Sequence, residues 1–195
     1  MNFYYASKGK KKLLRLMAKI HLECFKMETR FKTAWFFPEY KGVKGYLGTS
    51  RLIAAGINPS YGRFPSTPAI FFYDCLRELE LQNLHVTDII KSRLSNSLHI
   101  ELKRNKELFD EILEKNIKWL TEEMKIIDKN LDVRIIGIGR EAHDILKRHF
   151  KEKVVDIRLH HYARIERYRE ENRIERRKIF KEELQKIKEE YSNYY

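Results

Sequence analysis

Apolar residues recur with a period of three to four positions in five stretches of the chain, which is the spacing of one face of a helix. In the first stretch, apolar side chains from Leu13 to Met27 are interspersed with lysines. In the second, Pro68 suits a first helical turn, with Ser66 or Thr67 as the cap. The pattern predicts helices over residues 10–29, 69–81, 105–129, 139–150 and 164–191.

Four short, mostly apolar runs alternate with these helices. Their length and their β-branched residues are typical of buried strands. Alternation with helices favours parallel pairing, because parallel strands need long crossover connections. We therefore expect the α/β class: a three-layer α/β/α sandwich around a four-stranded, mostly parallel sheet, with a long C-terminal helix. The predicted strands are residues 52–57, 84–90, 133–138 and 154–159.

The chain has no internal repeat and no long linker, which predicts one domain over residues 1–164. Within it, residues 1–34 contain a basic N-terminal helix. Residues 165–195 form a charged helix whose Arg and Glu side chains alternate at spacings that stabilise a helix in solvent. One stripe of that helix is apolar and is expected to dock on the body or on another subunit: Phe180, Leu184, Ile187 and Tyr191.

Composition and charge exclude several classes of protein. The 195 residues include 40 Lys and Arg against 28 Asp and Glu, a net charge of +12. The first 50 residues have 11 Lys and Arg against 3 Asp and Glu, so +8 of the excess lies there and favours a polyanionic partner. Cys24 and Cys75 are far apart and have no CxxC partner, which excludes a disulfide framework and a Cys-based metal site. No apolar run reaches the 18 residues of a membrane span.

Three of the predicted strands run into polar loops. Asn58 follows the first, Asp88 lies near the end of the second with Lys91 and Arg93 after it, and residues 160–162 (His-His-Tyr) follow the fourth. In parallel sheets, ligands bind beyond the carboxyl ends of the strands, so these loops predict a site. The alternative is that the polar residues only cap and turn the chain.

The loop of residues 56–60 (Gly-Ile-Asn-Pro-Ser) resembles the first signature of the uracil-DNA glycosylase superfamily, Gly-Ile-Asn-Pro-Gly in its mismatch-specific type. Four further segments are similar to that family and follow in the same order within residues 35–164. They are 64–66 with 71–73, 86–93, 136–142 and 159–163. The resemblance implies that the protein flips a nucleotide out of DNA and hydrolyses its N-glycosidic bond, without metal or cofactor.

The resemblance also implies two catalytic residues. Asn58 would hold the attacking water through its side-chain amide; alternatively it only forms the turn before Pro59. A histidine after the fourth strand would donate a hydrogen bond to the leaving base. We prefer His161, because a small residue then follows where the family has serine, and His160 is the alternative.

The remaining expected roles concern the base and the DNA backbone. Phe72 is the expected stacking platform, with Phe71 second, although a Phe pair at a helix start is commonly core. Tyr61 and Phe64 would wall the pocket. Four side chains are expected to contact phosphates, or alternatively to form a solvated rim: Ser60, Lys91, Arg93 and Arg164.

Asp88 departs from the family pattern, which has Asn where the uracil edge is read. An ionised Asp only accepts hydrogen bonds, whereas Asn also donates. Either another residue reads the base, or the base is not uracil, or Asp88 is structural. A further departure is the missing four-cysteine set of the thermophilic types, so no iron–sulfur cluster is expected.

We therefore expect a monomeric, intracellular prokaryotic enzyme that removes uracil or a related deaminated base from single- or double-stranded DNA and has no membrane partner. One alternative is a catalytically inactive nucleic-acid-binding protein of the same fold. A small-molecule nucleoside hydrolase or phosphotransferase is less favoured, because the sequence has no Gly-rich phosphate loop and no acidic metal cluster.

Overall fold

A computed structural model describes residues 8–26, 33–59, 64–92, 104–165 and 167–195. Three parallel strands form the sheet in the order β2-β1-β3. β1 is Leu52–Gly56, β2 is His85–Asp88 and β3 is Arg134–Gly137. The α/β class and the parallel pairing were therefore predicted correctly.

The predicted fourth strand is wrong, and the sheet has three strands instead of four. Residues 154–159 run beside β3 but pair with it only at their two ends, through the parallel bridges Ile135–Val154 and Ile138–Leu159. Between these bridges the chain bends at Asp156, an exposed residue whose carboxylate binds Lys147 Nζ at 2.6 Å. Asp is unfavourable inside strands, and here its salt bridge with a surface helix accompanies the break in the ladder.

Six α-helices surround the sheet within the described residues: α1 Lys8–Lys26, α2 Thr67–Glu78, α3 Lys106–Ile127, α4 Arg140–Phe150, α5 Tyr162–Ile165 and α6 Glu170–Glu190. Three 3₁₀ turns accompany them, at Gly45–Leu47, Lys151–Lys153 and Ser192–Tyr194. Of the two caps considered for α2, Ser66 is the one used, because its side chain accepts a bond from the Ala69 amide. The helix predicted over 164–191 is two helices, α5 and α6.

Helices cover both faces of the sheet. Leu52 and Ala54 of β1 belong to an apolar cluster shared with α2 and α6, whereas Ile53 and Ala55 belong to a second cluster shared with α3 and α4. This alternation follows from the two-residue period of a strand. A third cluster packs α1 against α3 through Leu16, Ile20, Cys24 and Trp119.

The C-terminal helix docks on the body of its own chain. Phe180, Leu184 and Ile187 are fully buried in the cluster that also contains α2. The segment after α6 is held as well, because Arg51 donates to the Asn193 carbonyl at 2.6 Å and Ser50 donates to the Tyr194 carbonyl at 3.0 Å. The apolar stripe predicted for this helix is thus part of the core. No helix in the described part of the chain combines the length and apolarity needed to cross a membrane.

Candidate functional site

The carboxyl ends of the strands bring the predicted site segments to one edge of the sheet. Gly56 and Asp88 are register partners at the ends of β1 and β2, and Asn58 follows two residues after Gly56. On the other side, the Gly139 amide donates to the Leu159 carbonyl at 2.7 Å. A Cβ atom on Gly139 would lie only 3.1 Å from the Cβ of His161, so the loop after β3 packs directly on the predicted histidine.

Asp88 is the most unusual side chain at this edge. It is 5% exposed, and its Oδ2 is buried without a hydrogen-bond partner. The other carboxyl oxygen lies against Gly56, where any larger residue would overlap it. Burial raises the pKa of Asp88 to about 7, opposed by the charge of Lys91 and assisted by that of Glu123. A substantial fraction of this carboxyl is therefore neutral at physiological pH.

Two tyrosines face the same carboxyl. Burial, and then the nearby charge of Asp88, raise the pKa of the Tyr73 and Tyr162 hydroxyls, so both remain protonated. Tyr73 comes from α2, where its hydroxyl donates to the Pro38 carbonyl at 2.8 Å, and Tyr162 begins α5. Asp88 thus lies in a largely apolar, aromatic environment.

Lys91 does not lie on the rim where the sequence placed it. The side chain is fully buried, and its Nζ donates to the Thr87 hydroxyl and the Asp88 carbonyl, both at 2.6 Å, and to Glu123. All three of its N–H bonds are therefore used inside the protein. The prediction that Lys91 contacts phosphate is wrong, because an ammonium paired in the core cannot also reach the DNA backbone.

Glu123 is the centre of a buried polar cluster that the sequence reasoning missed. Its carboxylate is fully buried and receives bonds from Tyr46, Thr87 and Lys91, with His85 Nε2 at 3.4 Å. Burial alone would raise the pKa of Glu123, but the charge of Lys91 and the His85 bond outweigh it and leave the pKa below its usual range. The available signal was an acidic residue on the mostly apolar buried face of α3.

His161 carries the features expected of a hydrogen-bond donor. Burial, followed by the charges of Arg164 and Arg167, lowers the pKa of His161 to about 4, so the ring is neutral at pH 7. Its Nδ1 accepts from the Ala163 amide at 3.2 Å, which puts the proton of the neutral ring on Nε2. Arg164 itself is exposed beside it.

His160 is paired with the C-terminal helix. Its Nδ1 lies 2.5 Å from one carboxylate oxygen of Glu183 on α6, and its backbone amide donates to the other at 3.0 Å. This pairing fixes the end of the 154–159 segment to the C-terminal helix. Of the two adjacent histidines, His161 is the one that packs on the loop after β3.

Phe72 cannot serve as the predicted stacking platform. It is fully buried, and one face of its ring is covered by Tyr162, with 4.7 Å between centroids and 7° between planes. Phe71, the second choice, is 8% exposed and packs on Phe180. Phe64 is only partly buried, and its ring meets those of Tyr40 and Tyr73 at 5.5 Å.

Asn58 is partly buried in the loop after β1. Its Nδ2 donates to the Pro59 carbonyl at 3.2 Å, as a turn residue would, while Oδ1 makes no hydrogen bond to any residue that the structure describes. Among the described residues, one N–H of the amide is therefore used within the turn, and Oδ1 has no partner. The predictions for Ser60, Tyr61 and Arg93 fall on residues outside the described ranges.

Two open grooves lie away from this edge. One, of about 630 Å³, runs between α2 and α6, and another, of about 480 Å³, runs between α1 and α3. Neither is lined by Asn58, Asp88 or His161. Within the described ranges, no group of three or more His, Cys, Asp or Glu side chains could hold a metal ion.

No protein-family model and no curated protein matches the chain. Function is therefore inferred from the residues at the carboxyl edge of the sheet and from their geometry.

Proposed function

We propose that the protein is a monofunctional DNA glycosylase that hydrolyses the N-glycosidic bond of uracil, or of a related deaminated base, after the nucleotide has left the duplex. The observation that carries the proposal is the buried, unpaired Oδ2 of Asp88 at the carboxyl edge of the sheet. A buried polar atom without a partner is costly unless a ligand supplies one. The neutral His161 ring lies at the same edge and supplies a second polar contact.

Asp88 reads the base as a neutral acid. A protonated carboxyl has one O–H donor and one carbonyl acceptor, which is the pattern that an Asn side chain offers. The carbonyl oxygen accepts from uracil N3–H, and the O–H donates to O4. The pKa of Asp88, about 7, makes this form available near neutral pH. The departure from Asn thus preserves recognition of uracil below that pH.

His161 stabilises the leaving base. As the C1′–N1 bond breaks, its electron pair moves onto the base, and negative charge develops at O2. The neutral ring donates a hydrogen bond to that oxygen through Nε2–H. A neutral donor suits this role, because the bond strengthens as charge develops and His161 itself keeps its proton.

Asn58 positions the nucleophile. One hydrogen of a water molecule binds to Oδ1, which aims an oxygen lone pair at the C1′ of the oxocarbenium-like sugar. A C1′–O bond forms as the C1′–N1 bond breaks, and a proton from the water passes to solvent while the departed base is protonated. The products are an abasic sugar and the free base. Asn is a weak base, so orientation of water is its contribution.

Phe64 replaces Phe72 as the proposed stacking surface, because it is partly exposed and borders Tyr73, one of the two tyrosines that face Asp88. Stacking a base on an aromatic ring contributes roughly 1–3 kcal/mol. Asp88 is only 5% exposed, so the base enters by displacing neighbouring side chains. The binding energy of the base has to offset the free-energy cost of displacing these side chains.

The proposed partner is DNA, held by the basic helix α1. Cys24 Sγ lies 3.6 Å from the hydroxyl of Ser92, so the C-terminal end of α1 is close to the segment that follows β2. Lys8, Lys11 and Arg15 are exposed on this helix and provide sequence-independent attraction to phosphates. Arg164 beside His161 remains a candidate phosphate contact. The enzyme is proposed to be monomeric, because the apolar stripe of α6 is covered by its own chain.

The test is a panel of single- and double-stranded oligonucleotides containing uracil, hypoxanthine, xanthine or a G·T mismatch, assayed for abasic sites at pH 6 and pH 8. We expect abasic sites at uracil, with more at pH 6. Release of bases from free nucleosides but not from DNA would instead indicate a nucleoside hydrolase.

One observation favours the alternative of a catalytically inactive DNA-binding protein: Asp88 is buried, so a base does not reach it without movement of neighbouring side chains. Tight binding of every oligonucleotide without any abasic product would establish that alternative and contradict the proposed enzyme.

A further inference from the structure

Two carboxyl groups compete for one buried ammonium beside the proposed site. Lys91 follows Asp88 by three residues, and its Nζ donates to the Asp88 backbone carbonyl at 2.6 Å, so the Asp88 carboxyl is close by. The ammonium nevertheless pairs with Glu123 of α3, at 2.8 Å from Oε1. Oδ2 of Asp88 receives no bond from it.

Glu123 is well equipped to hold the ammonium. The Tyr46 hydroxyl donates to its Oε1 at 3.0 Å, and the Thr87 hydroxyl donates to Oε2 at 3.1 Å. His85 contributes a further contact, with its Nδ1 directed at the Gly48 carbonyl and its Nε2 at Glu123. A buried carboxylate with several donors remains ionised at neutral pH. The Lys91–Glu123 pair is therefore electrically neutral as a unit.

The other groups that face Asp88 cannot replace this counter-ion. From α2 and α5 it is approached by the hydroxyls of Tyr73 and Tyr162, which are neutral. From β1 it is approached by Gly56, which has no side chain. Among the residues that the structure describes, the positive charge that acts on Asp88 is Lys91, and the negative charge that acts on it is Glu123. Burial is the main cause of the raised pKa of Asp88, and the pairing of Lys91 sets how strongly a positive charge opposes it.

We infer that Glu123 is a positioning residue that holds the Lys91 ammonium away from the Asp88 carboxyl, so that Asp88 meets the base as a neutral acid. The consequence of this arrangement, recognition of uracil, rests on the proposed function. The dependence of the Asp88 charge on Glu123 does not rest on it, because that dependence holds whether or not any base is cleaved. Glu123 touches neither base nor sugar.

The direct test follows the ¹³Cγ resonance of Asp88 with pH in the full-length protein without DNA. In Glu123→Gln, Lys91 loses its counter-ion and turns to Asp88, so the titration midpoint of Asp88 falls by at least about one pH unit, a tenfold change in proton affinity. In Lys91→Met, the midpoint rises above that of the wild type. Glu122→Gln is the matched control, since Glu122 is the partly exposed neighbour on α3 and pairs with Lys19 at 3.3 Å.

The two variants shift the midpoint in opposite directions, so either alone decides the matter if the other does not fold. An unchanged Asp88 midpoint in a folded variant of Glu123 or Lys91 overturns the inference. A midpoint that moves as much in Glu122→Gln also overturns it, because the effect would then be general rather than specific to the buried pair.

The corresponding activity measurement separates this inference from the proposed function. If the enzyme excises uracil, the pH above which single-turnover excision declines moves down by the same amount in Glu123→Gln. If no variant, including the wild type, excises any base, the proposed function fails while the titration still decides the role of Glu123. Excision by Glu123→Gln with an unshifted pH profile, despite a shifted Asp88 midpoint, would contradict the use of Asp88 in base recognition.

Discussion

Asp88 occupies the space in which a side chain on Gly56 would lie, and the two residues are register partners at the carboxyl ends of β1 and β2. Because Gly56 has no Cβ, the buried carboxyl of Asp88 fits into this space. The loop after β1 and Asp88, the proposed base-reading residue, are coupled by this contact. In the sequence they are 32 positions apart.

Gly56→Ala tests this coupling. The added methyl group overlaps the Asp88 carboxyl, and overpacking of a core typically costs about 1–3 kcal/mol. We expect that loss in the free energy of unfolding, measured by urea denaturation. In an Asp88→Ala background the methyl group finds space, so the cost of Gly56→Ala should largely disappear. Equal costs in both backgrounds would show that the two residues are not coupled.

Asp88→Asn should change how stability depends on pH. The pKa of Asp88 is raised from 3.8 to about 7, so the folded state binds this proton more tightly than the unfolded state does. Its contribution is fully present below pH 4 and is lost as the pH rises to 7. Because each pKa unit corresponds to about 1.4 kcal/mol, the variant should gain up to about 4 kcal/mol relative to the wild type over that range.

The wild type alone will not reveal this effect, because His161 acts in the opposite sense. Its lowered pKa, about 4, makes it stabilise the folded state above pH 6.5 and lose that contribution as the pH falls to 4. The informative quantity is therefore the difference between Asp88→Asn and the wild type at each pH. A difference that stays constant from pH 4 to pH 7 would contradict a buried, neutral Asp88.

The two adjacent histidines should behave differently in ¹⁵N NMR spectra. His161 is expected to stay neutral down to about pH 4 with its proton on Nε2, because burial disfavours the charged ring and Nδ1 accepts from Ala163. His161→Ala should slow base excision, whereas His160→Ala should break only the contact with Glu183 and leave excision unchanged. The reverse pattern of activity would assign the catalytic role to His160.

Helix α1 should govern the salt dependence of DNA binding. Each phosphate contact contributes about 0.9 to the slope of log K against log salt concentration. Replacing both Lys11 and Arg15 by Ala should lower that slope by about 2 without changing which base is removed. Lys178→Ala is the control, because Lys178 is exposed on α6 but is paired with Glu182 at 3.8 Å. An equal reduction by the control would indicate that only net charge matters.

The sequence predicted what depends on local patterning. Apolar runs located β1, β2 and β3, and alternation with helices predicted their parallel pairing. The stripe of Phe180 and Leu184 correctly predicted a docked face on the C-terminal helix. The fourth strand failed because residues 154–159 have a strand-like composition, yet bend at Asp156, whose carboxylate binds Lys147 of α4.

The site was harder to predict because partners distant in the sequence determine whether its polar side chains are buried or exposed. Lys91 resembled a rim cation, but Glu123, 32 positions further on, supplies a buried counter-ion. Phe71 and Phe72 are adjacent residues of the same type, and both lie in the core. Helical spacing cannot distinguish an aromatic that faces a ligand from one that is covered by Tyr162.

Single-turnover formation of abasic sites in a uracil-containing duplex at pH 6, by the wild type and by Asn58→Ala, tests the central claim most directly. Both proteins should unfold at similar urea concentrations, since Asn58 is partly exposed and its side chain, among the described residues, bonds only to the adjacent Pro59 carbonyl. The wild type should convert the uracil strand to abasic product, and the variant should do so at least about tenfold more slowly, because it no longer orients the attacking water. Absence of product with the wild type, or an undiminished rate with Asn58→Ala, would contradict the account.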